Sequence, residues 1–284
     1  MSDPQSLLAA PSWIGRASER ADVIDQRLVS EFMATLSPHI EARSTLPLGL
    51  HWCLAPDTVT SDELGRDGHP KLGISLPDLG LERRMWAGGE LIYHGDFMLG
   101  DAVTKTSTIE DVTAKSGKSG KLVFVKVQQL YRARGALILE ERQDIVYRQA
   151  LPTSHDAAPA STTASSAYAT QLSQGSWSIT PTSILLFRYS AMTFNSHRIH
   201  YDEAYARQVE GYDGLVVHGP LQATFMLNLA VARSDSRLRR FIYRGVAPLI
   251  CDGPFHVIAI PRDGALETKV VSRAGIVTMS GTAV

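Results

Sequence analysis

The sequence predicts an α+β protein made of two strand-rich units, and three observations carry that reading. Residues 91–150 and 241–281 both alternate apolar with polar side chains and are rich in β-branched residues, as half-buried antiparallel strands are. Each of these stretches follows a segment of helical periodicity. Between them, 17 of the 25 residues from 151 to 175 are Ala, Ser, Thr or Pro, too little apolar surface for a core and suited to a linker. The expected organisation is a domain at 1–150, a linker at 151–175 and a second domain at 176–284.

Composition narrows the function classes. The chain has 284 residues, 44% hydrophobic and 20% charged, with room for an ample core. A net charge of −1 gives no electrostatic case for nucleic acid or an anionic membrane as partner. No segment approaches the ~20 apolar residues that cross a bilayer, and residues 1–12 lack a leader pattern. Two distant cysteines, Cys53 and Cys251, suggest neither a disulfide framework nor a thiolate metal site, so a reducing cytoplasm is the expected setting.

In the first half, the apolar recurrence at Ile14, Val23, Ile24, Leu28, Val29, Phe32, Met33 and Leu36 predicts a helix over 13–36, closed by Ser37-Pro38. The run 46–54 reads as strand or loop. Residues 61–82 hold Gly65, Gly68, Pro70, Gly73, Pro77 and Gly80, so many breakers that an extended surface loop is expected. Arg83-Arg84-Met85-Trp86-Ala87-Gly88-Gly89 sets two guanidiniums beside a flat ring and a Gly pair, a combination that suits an anion and a planar group. The lysine- and glycine-rich 115–121 lacks phosphate-loop spacing and precedes a strand, so it reads as a hairpin tip. Strands follow at 122–131 and 137–147.

In the second half, Trp177-Ser178-Ile179 and 184–189 lead into the richest stretch of the chain. It runs Phe194-Asn195-Ser196-His197-Arg198-Ile199-His200-Tyr201-Asp202 and continues to Val217-His218-Gly219-Pro220. Tyr201 to Val209 reads as a helix, with Asp202 its N-cap and Gly211 its stop. Polar residues ahead of a helix N-terminus meet free backbone N–H groups and a positive dipole end, a place for a water and a developing negative charge. The run 221–232 is almost wholly apolar and predicts a buried helix.

These residues resemble the MaoC-like hydratases and dehydratases of acyl thioesters, whose motif Asp-x-Asn-Pro-x-His-x-Asp precedes a His-Gly step. With the motif's final His on His200, Asn195 falls at the family's Asp, His197 at its Asn, Arg198 at its Pro and Asp202 at its last Asp. The form running from Tyr189 to Asp202 is similar to the type 2 hydroxyacyl-thioester dehydratase branch, which includes mesaconyl-C4-CoA and itaconyl-CoA hydratases. The stretch from Arg83 is typical of that branch too. The resemblance is close over the second half and looser over the first. It implies a double hotdog fold, two curved antiparallel sheets each wrapping a central helix, with the active site between them.

It also implies a reversible hydratase acting on a short-chain enoyl-CoA, with a C5 dicarboxylic acyl group such as mesaconyl or itaconyl expected. His200 stands at the catalytic His, and the backbone N–H of Gly219 at the group that polarises the thioester carbonyl. Asn195 has no basicity but can orient a water, and His197 takes up part of the role the missing Asp leaves. Arg83, Arg84, Trp86, Arg188, Tyr189, Arg198 and His218 are the expected substrate-binding set. No cofactor is expected beyond the CoA of the substrate. No metal is expected either, since no His-x-x-x-His pair is present. A homo-oligomer stays open. A non-catalytic thioester-binding protein is the alternative supported by the absent Asp, and a thioesterase the third reading.

Overall fold

A computed structural model of the chain describes residues 10–41, 46–81, 83–117, 120–149, 175–234 and 236–284. Its frame is a single ten-stranded antiparallel sheet in the order β1-β3-β4-β5-β2-β7-β10-β9-β8-β6. The first-half strands are β1 (Ala17–Val23), β2 (Arg83–Tyr93), β3 (Ala102–Gly117), β4 (Gly120–Ala133) and β5 (Ala136–Arg148). The second half supplies β6 (Trp177–Ile179), β7 (Arg240–Gly245), β8 (Phe255–Arg262), β9 (Ala265–Val271) and β10 (Val277–Ala283). The two expected sheets are thus the halves of one sheet, joined where β2 pairs with β7 from Gly88↔Arg244 to Ile92↔Arg240.

The join explains Gly88-Gly89, which the sequence suggested as part of an anion site. A Cβ on Gly89 would stand 2.2 Å from the Arg142 carbonyl oxygen and 2.4 Å from the Tyr243 hydroxyl. A Cβ on Gly88 would stand 2.5 Å from the Tyr243 carbonyl oxygen. The pair lets β2 sit between β5 and β7 with a ring packed over its backbone.

Among the described residues the α-helices are α1 (Gln26–Leu36), α2 (Ser183–Met192), α3 (Glu203–Gln208) and α4 (Gly219–Arg233). None of the helices among the described residues is long and apolar enough to cross a membrane. Helix α4 is the central helix of the second half. Ten consecutive residues, Leu221 to Ala230, are buried, and the helix packs on β7, β8, β9 and β10. Each large apolar side chain so buried contributes roughly 1.5–3 kcal/mol. The first half is plainer. Helix α1 has only 11 residues, is capped by Asp25 through Leu28 N–H at 2.7 Å, and packs chiefly against α2.

The expected helix over 13–36 is corrected at its start. Residues 17–23 form β1, an edge strand paired with β3 from Ala17↔Thr108 to Val23↔Ala102. Helical periodicity holds only from Ile24 on. In the strand-rich stretch expected at 241–281, the first strand ends at Gly245. The chain then turns back, so that Val217 N–H donates to Leu249 O at 2.8 Å and Cys251 N–H to Leu215 O at 2.8 Å. The run 46–54 is a turn and a short 3-10 segment, Leu50–Cys53, and 61–81 is loop, as its breakers predict, apart from a 3-10 turn at Ser61–Glu63 and a bridge between Leu64 and Pro70. The linker expected at 151–175 lies outside the described residues except at Gly175, as do residues 118 and 119 of the hairpin tip.

Gly89→Ala is expected to lower unfolding free energy by about 1–3 kcal/mol, the usual cost of overpacking. The clash partner is backbone, so side-chain repacking gives little relief. Urea denaturation followed by circular dichroism checks this, and a loss under about 0.5 kcal/mol would contradict it.

Candidate active site

A cavity of about 910 Å³ lies between the halves. Its walls come from the inner face of β2–β5, from the 67–76 loop, and from the 189–200 and 216–222 segments. Asn195, His197, His200 and Gly219 all line it, with Trp86, Tyr189, Arg83 and Arg84. Four sequence-distant segments therefore meet at one space.

The motif reaches this wall through local bonds. Helix α2 is capped by Thr182, whose hydroxyl accepts from Leu185 N–H at 3.1 Å. It ends at Thr193, and Phe194 follows with φ 51°, a left-handed conformation that a bulky residue adopts only where its surroundings hold it. Asn195 N–H then donates to Ser190 O at 2.9 Å, and the Asn195 side-chain oxygen accepts from His197 N–H at 3.0 Å. This small turn sets up the 3-10 segment Arg198–His200. Helix α3 starts at once, with Asp202 accepting from Tyr205 N–H at 2.9 Å, and Gly211 sits beyond its end with φ 72°.

His200 is buried and its Nδ1 lies 2.6 Å from Val216 O. A carbonyl can only accept, so Nδ1 carries the proton and Nε2 is left as a lone-pair acceptor at the cavity wall. Val216 is itself fixed, donating to Ile199 O at 2.9 Å and bridging to Ile250. Burial pushes His200 down to about 3, against the opposing effect of the Val216 bond, so the ring is neutral near pH 7.

His218 stacks on His200 with ring centroids 3.6 Å apart, and its Nε2 lies 2.8 Å from Ser190 Oγ. It is wholly buried and does not line the cavity, so its expected substrate contact is replaced by a supporting role behind His200. Ser190 was not singled out from the sequence. Gly219 opens α4, where Pro220 at the second position and the first-turn N–H groups leave a positive helix end at the cavity. A Cβ there would come 2.5 Å from the Trp86 ring, so the ring and this helix end touch only because the residue is glycine.

Two expected contacts are corrected. Arg188 is exposed on α2 and is not among the residues lining the cavity. Arg198 turns away to Asp202, with Nη2 2.7 Å from its carboxylate, and lies 4.1 Å over the Tyr205 ring. Arg83 and Arg84 do line the cavity. Arg83 is ion-paired with Glu210 at 3.0 Å, while Arg84 donates to Pro70 O at 2.8 Å. Arg148, adjacent to Arg83 across the β2–β5 pairing, also lines the cavity, and its Nε is buried without a hydrogen-bond partner. Sequence reasoning missed it, because nothing local marks one arginine on a strand.

Asp67 and His69 were missed as well. His69 Nδ1 lies 3.1 Å from the Asp67 carboxylate, and its ring stands 4.1 Å from that of His197, which stands 5.5 Å from that of His200. Ligand atoms of Asp67, His69 and His197 converge within 4.8 Å. His69 Nδ1 is bonded to the Asp67 carboxylate, and the Arg84 guanidinium stands 3.9 Å from that same carboxylate oxygen. Within that donor set, Asp67 and His69 form a carboxylate–imidazole pair beside the Arg84 cation.

The family model described as hydroxyacyl-thioester dehydratase type 2 matches residues 49–251. The chain is 35% identical to mesaconyl-C(4)-CoA hydratase of Chloroflexus aurantiacus, over 95% of this chain and 96% of that protein. Among solved structures, HtdX of Mycobacterium tuberculosis superposes with a TM-score of 0.67 at 17% identity, covering 94% of this chain and 99% of that one. A second Mycobacterium tuberculosis protein, described as having a double hotdog fold, superposes with a TM-score of 0.53 at 13% identity, covering 95% and 96%. These two likenesses bear on the fold, and they give it as the double hotdog.

The buried, neutral His200 makes stability pH-dependent. Its folded pKa lies below its unfolded value of 6.5, and the same holds for His51, buried beside Lys105 and also pushed down to about 3. The unfolded chain therefore binds more protons between about pH 6.5 and 3, and stability falls as pH drops through that window. Urea midpoints should fall from pH 7 to pH 4, and His200→Gln should flatten the slope. An unchanged slope in that variant would show that His200 titrates normally in the folded chain.

Proposed function

The chain belongs to the hydroxyacyl-thioester dehydratase type 2 family, and from that premise we propose that it adds water reversibly to a C5 dicarboxylic enoyl-CoA, such as mesaconyl- or itaconyl-CoA. The family makes it a hydro-lyase of acyl thioesters. The observation that carries the mechanism is His200, its Nδ1–H bound to Val216 O and its Nε2 lone pair at the wall of the inter-half cavity.

Hydration needs a base for the water proton, a donor for Cα, and positive charge where the thioester oxygen becomes enolate-like. His200 Nε2 takes the water proton, because the Val216 bond fixes both tautomer and ring direction. Burial keeps the ring free of solvent protons, so the lone pair is available. Stacked His218 and its Ser190 bond keep the ring from turning. Asn195 has committed its carbonyl oxygen to His197 N–H, so it would hold the water as a donor through its amide nitrogen. The Gly219 N–H at the start of α4 suits the thioester oxygen, since a helix end and an unpaired N–H both stabilise negative charge there.

The acyl carboxylate falls to Arg84. Its guanidinium stands beside Asp67 and His69, next to His197, while Arg83 is neutralised by Glu210. Arg148, whose Nε has no hydrogen-bond partner, lies beside Arg83 on the same wall and suits a phosphate of CoA. A dicarboxylic substrate agrees with the name of the Chloroflexus aurantiacus relative.

His200→Ala is expected to lower kcat for hydration by about 10²–10⁴-fold, the usual contribution of a general base. Asn195→Ala should lower it less. Retention of more than about a tenth of kcat by His200→Ala would remove His200 from the proton step. Loss of enoyl absorbance is the readout, and release of free thiol instead would make the protein a thioesterase.

Substrate choice is a separate expectation. The ratio of kcat/KM for mesaconyl-C4-CoA over crotonyl-CoA should exceed one, and Arg84→Ala should lower that ratio at least tenfold, because a carboxylate site rejects uncharged analogues. A ratio that does not move on Arg84→Ala would place the carboxylate elsewhere.

A further inference from the structure

We propose that His69, backed by Asp67, is a second catalytic proton-transfer residue of this site, the one that protonates Cα while His200 takes the proton from water. The proposal rests on the hydratase reading above and adds a residue that belongs to the other half of the chain.

Three observations support it. First, the 65–70 loop is fastened directly onto the motif. Arg198 N–H donates to Asp67 O at 2.9 Å, and the Ser196 hydroxyl donates to Gly68 O. Gly68 has φ 89°, and a Cβ on it would stand 2.0 Å from Ser196 O, so only glycine permits this approach. The loop therefore places His69 and does not merely cover the site. Second, His69 lines the same cavity as His200, with His197 between their rings. Third, of the four histidine rings gathered here, His69 alone has a carboxylate at hydrogen-bond distance, Asp67 at 3.1 Å.

The third point divides the labour. An ionised carboxylate accepts from Nδ1–H and stabilises the imidazolium form of His69. Burial alone would raise the Asp67 carboxyl, but the His69 bonds and charge, with Arg84, hold it below its usual range. The charged groups facing His69 are Asp67 on its own loop, Arg84 on β2 and Glu210 after α3. Burial, with Arg84, holds His69 below its usual value, and Asp67 and Glu210 offset part of that push. His197 and His200 have no such partner, and both are pushed down strongly by burial. When one proton resides among these rings, His69 is where it is held at least cost. Burial lowers both rings, and what separates them is geometric: His69 has the Asp67 carboxylate on its Nδ1 and His200 only a backbone carbonyl, which suits the first to the acid role and the second to the base role.

The step balances without any co-reactant other than water. A water O–H bond breaks, its proton goes to His200 Nε2, and the oxygen bonds to Cβ. The π pair of the C=C bond shifts toward the thioester carbonyl and collapses onto Cα, which takes the proton from His69 Nε2. Solvent in the cavity returns the proton from His200 to His69 before the next turnover.

The test uses the full-length chain with a C5 dicarboxylic enoyl-CoA, comparing wild type with His69→Gln and Asp67→Asn. Both replacements keep side-chain size, and thermal melting confirms that the loop and fold survive. Expected for His69→Gln is a loss of kcat of about 100-fold or more, with KM changed less than about threefold and the alkaline limb of the pH profile abolished. Asp67→Asn should move that limb to lower pH, since removing the carboxylate lowers the pKa of His69. Nuclear magnetic resonance titration of the His69 ring should show the same downward shift without reference to turnover. The proposal is overturned if His69→Gln keeps more than about a tenth of kcat, or if the losses appear in KM alone. It is also overturned if a chelator abolishes wild-type activity and zinc restores it, since the three side chains would then hold an ion. A wild-type chain that hydrates no enoyl-CoA overturns the hydratase reading and this one with it, whereas an active wild type with unaffected variants overturns this one alone.

Discussion

The pairing of β2 with β7 is the contact on which the site depends. Each half ends in a strand whose N–H and C=O groups would otherwise form an open edge, and joining them satisfies both rows at once. The join fixes more than hydrogen bonds. The 61–81 loop runs straight into β2, so the register of β2 decides where Asp67 and His69 arrive. Trp86, three residues before Gly89, is carried by the same strand onto Gly219 at the start of α4. A shift of one residue in the β2–β7 register would turn Trp86 to the outer face and leave the helix end uncovered. Gly88 and Gly89 forbid such a slip indirectly, because at these positions only glycine clears the Tyr243 and Arg142 backbone.

Electrostatics at the site follow from exclusion of water and not from an accumulation of charge. His197, His200 and His218 are all driven toward the neutral form, chiefly by burial, with smaller contributions from His200 on His197 and from both of these on His218. A neutral imidazole is a competent base only if its lone pair is aimed, and the aim comes from backbone: Val216 O fixes one nitrogen of His200. Val216 is held on one side by Ile199, next to His200 itself, and on the other by Ile250 from the turn after β7. His200 and the carbonyl that orients it thus belong to one small knot of chain.

Most of the second half was legible in the sequence. Asp202 and Gly211 bracket α3, the apolar run at 221–232 lies in the buried helix α4, and the motif residues Asn195, His197, His200 and Gly219 share one cavity wall. All of these are local signals, set by neighbours within a turn or two. The misreadings have a common physical source, which is that proximity in sequence is not direction in space. Arg198 sits in the motif but four residues from Asp202, and an i, i+4 pair on a helical turn claims its guanidinium. Arg188 precedes the buried Tyr189 by one residue and therefore points to another face of α2. Residues 17–23 were read as helix because the apolar period of α1 was extended backward over an edge strand. Asp67, His69, Arg148 and Ser190 reach the site or its support only through tertiary contacts. Only Asp67 and His69 left a trace, an acid two residues from a histidine in a loop whose glycines and prolines already marked it as built and long.

The asymmetry of the halves then accounts for the cavity itself. The second half closes its inner face with α4, fifteen residues of mostly buried chain. The first half turns Lys105, Gln129, Gln143 and Ile145 toward the cavity over the corresponding stretch of sheet. Behind that surface lies Glu141, fully buried, receiving Trp52 Nε1 at 2.8 Å and Gln143 Nε2 at 2.9 Å. An apolar void of such size would forfeit contacts on every side and would favour collapse of the walls. A wall that bears amides, an ammonium and hydrogen-bonded indole can be solvated instead, so the space stays open at little cost until a ligand enters. The space that remains is lined from both halves, and His69, His197 and His200 stand where the two halves meet.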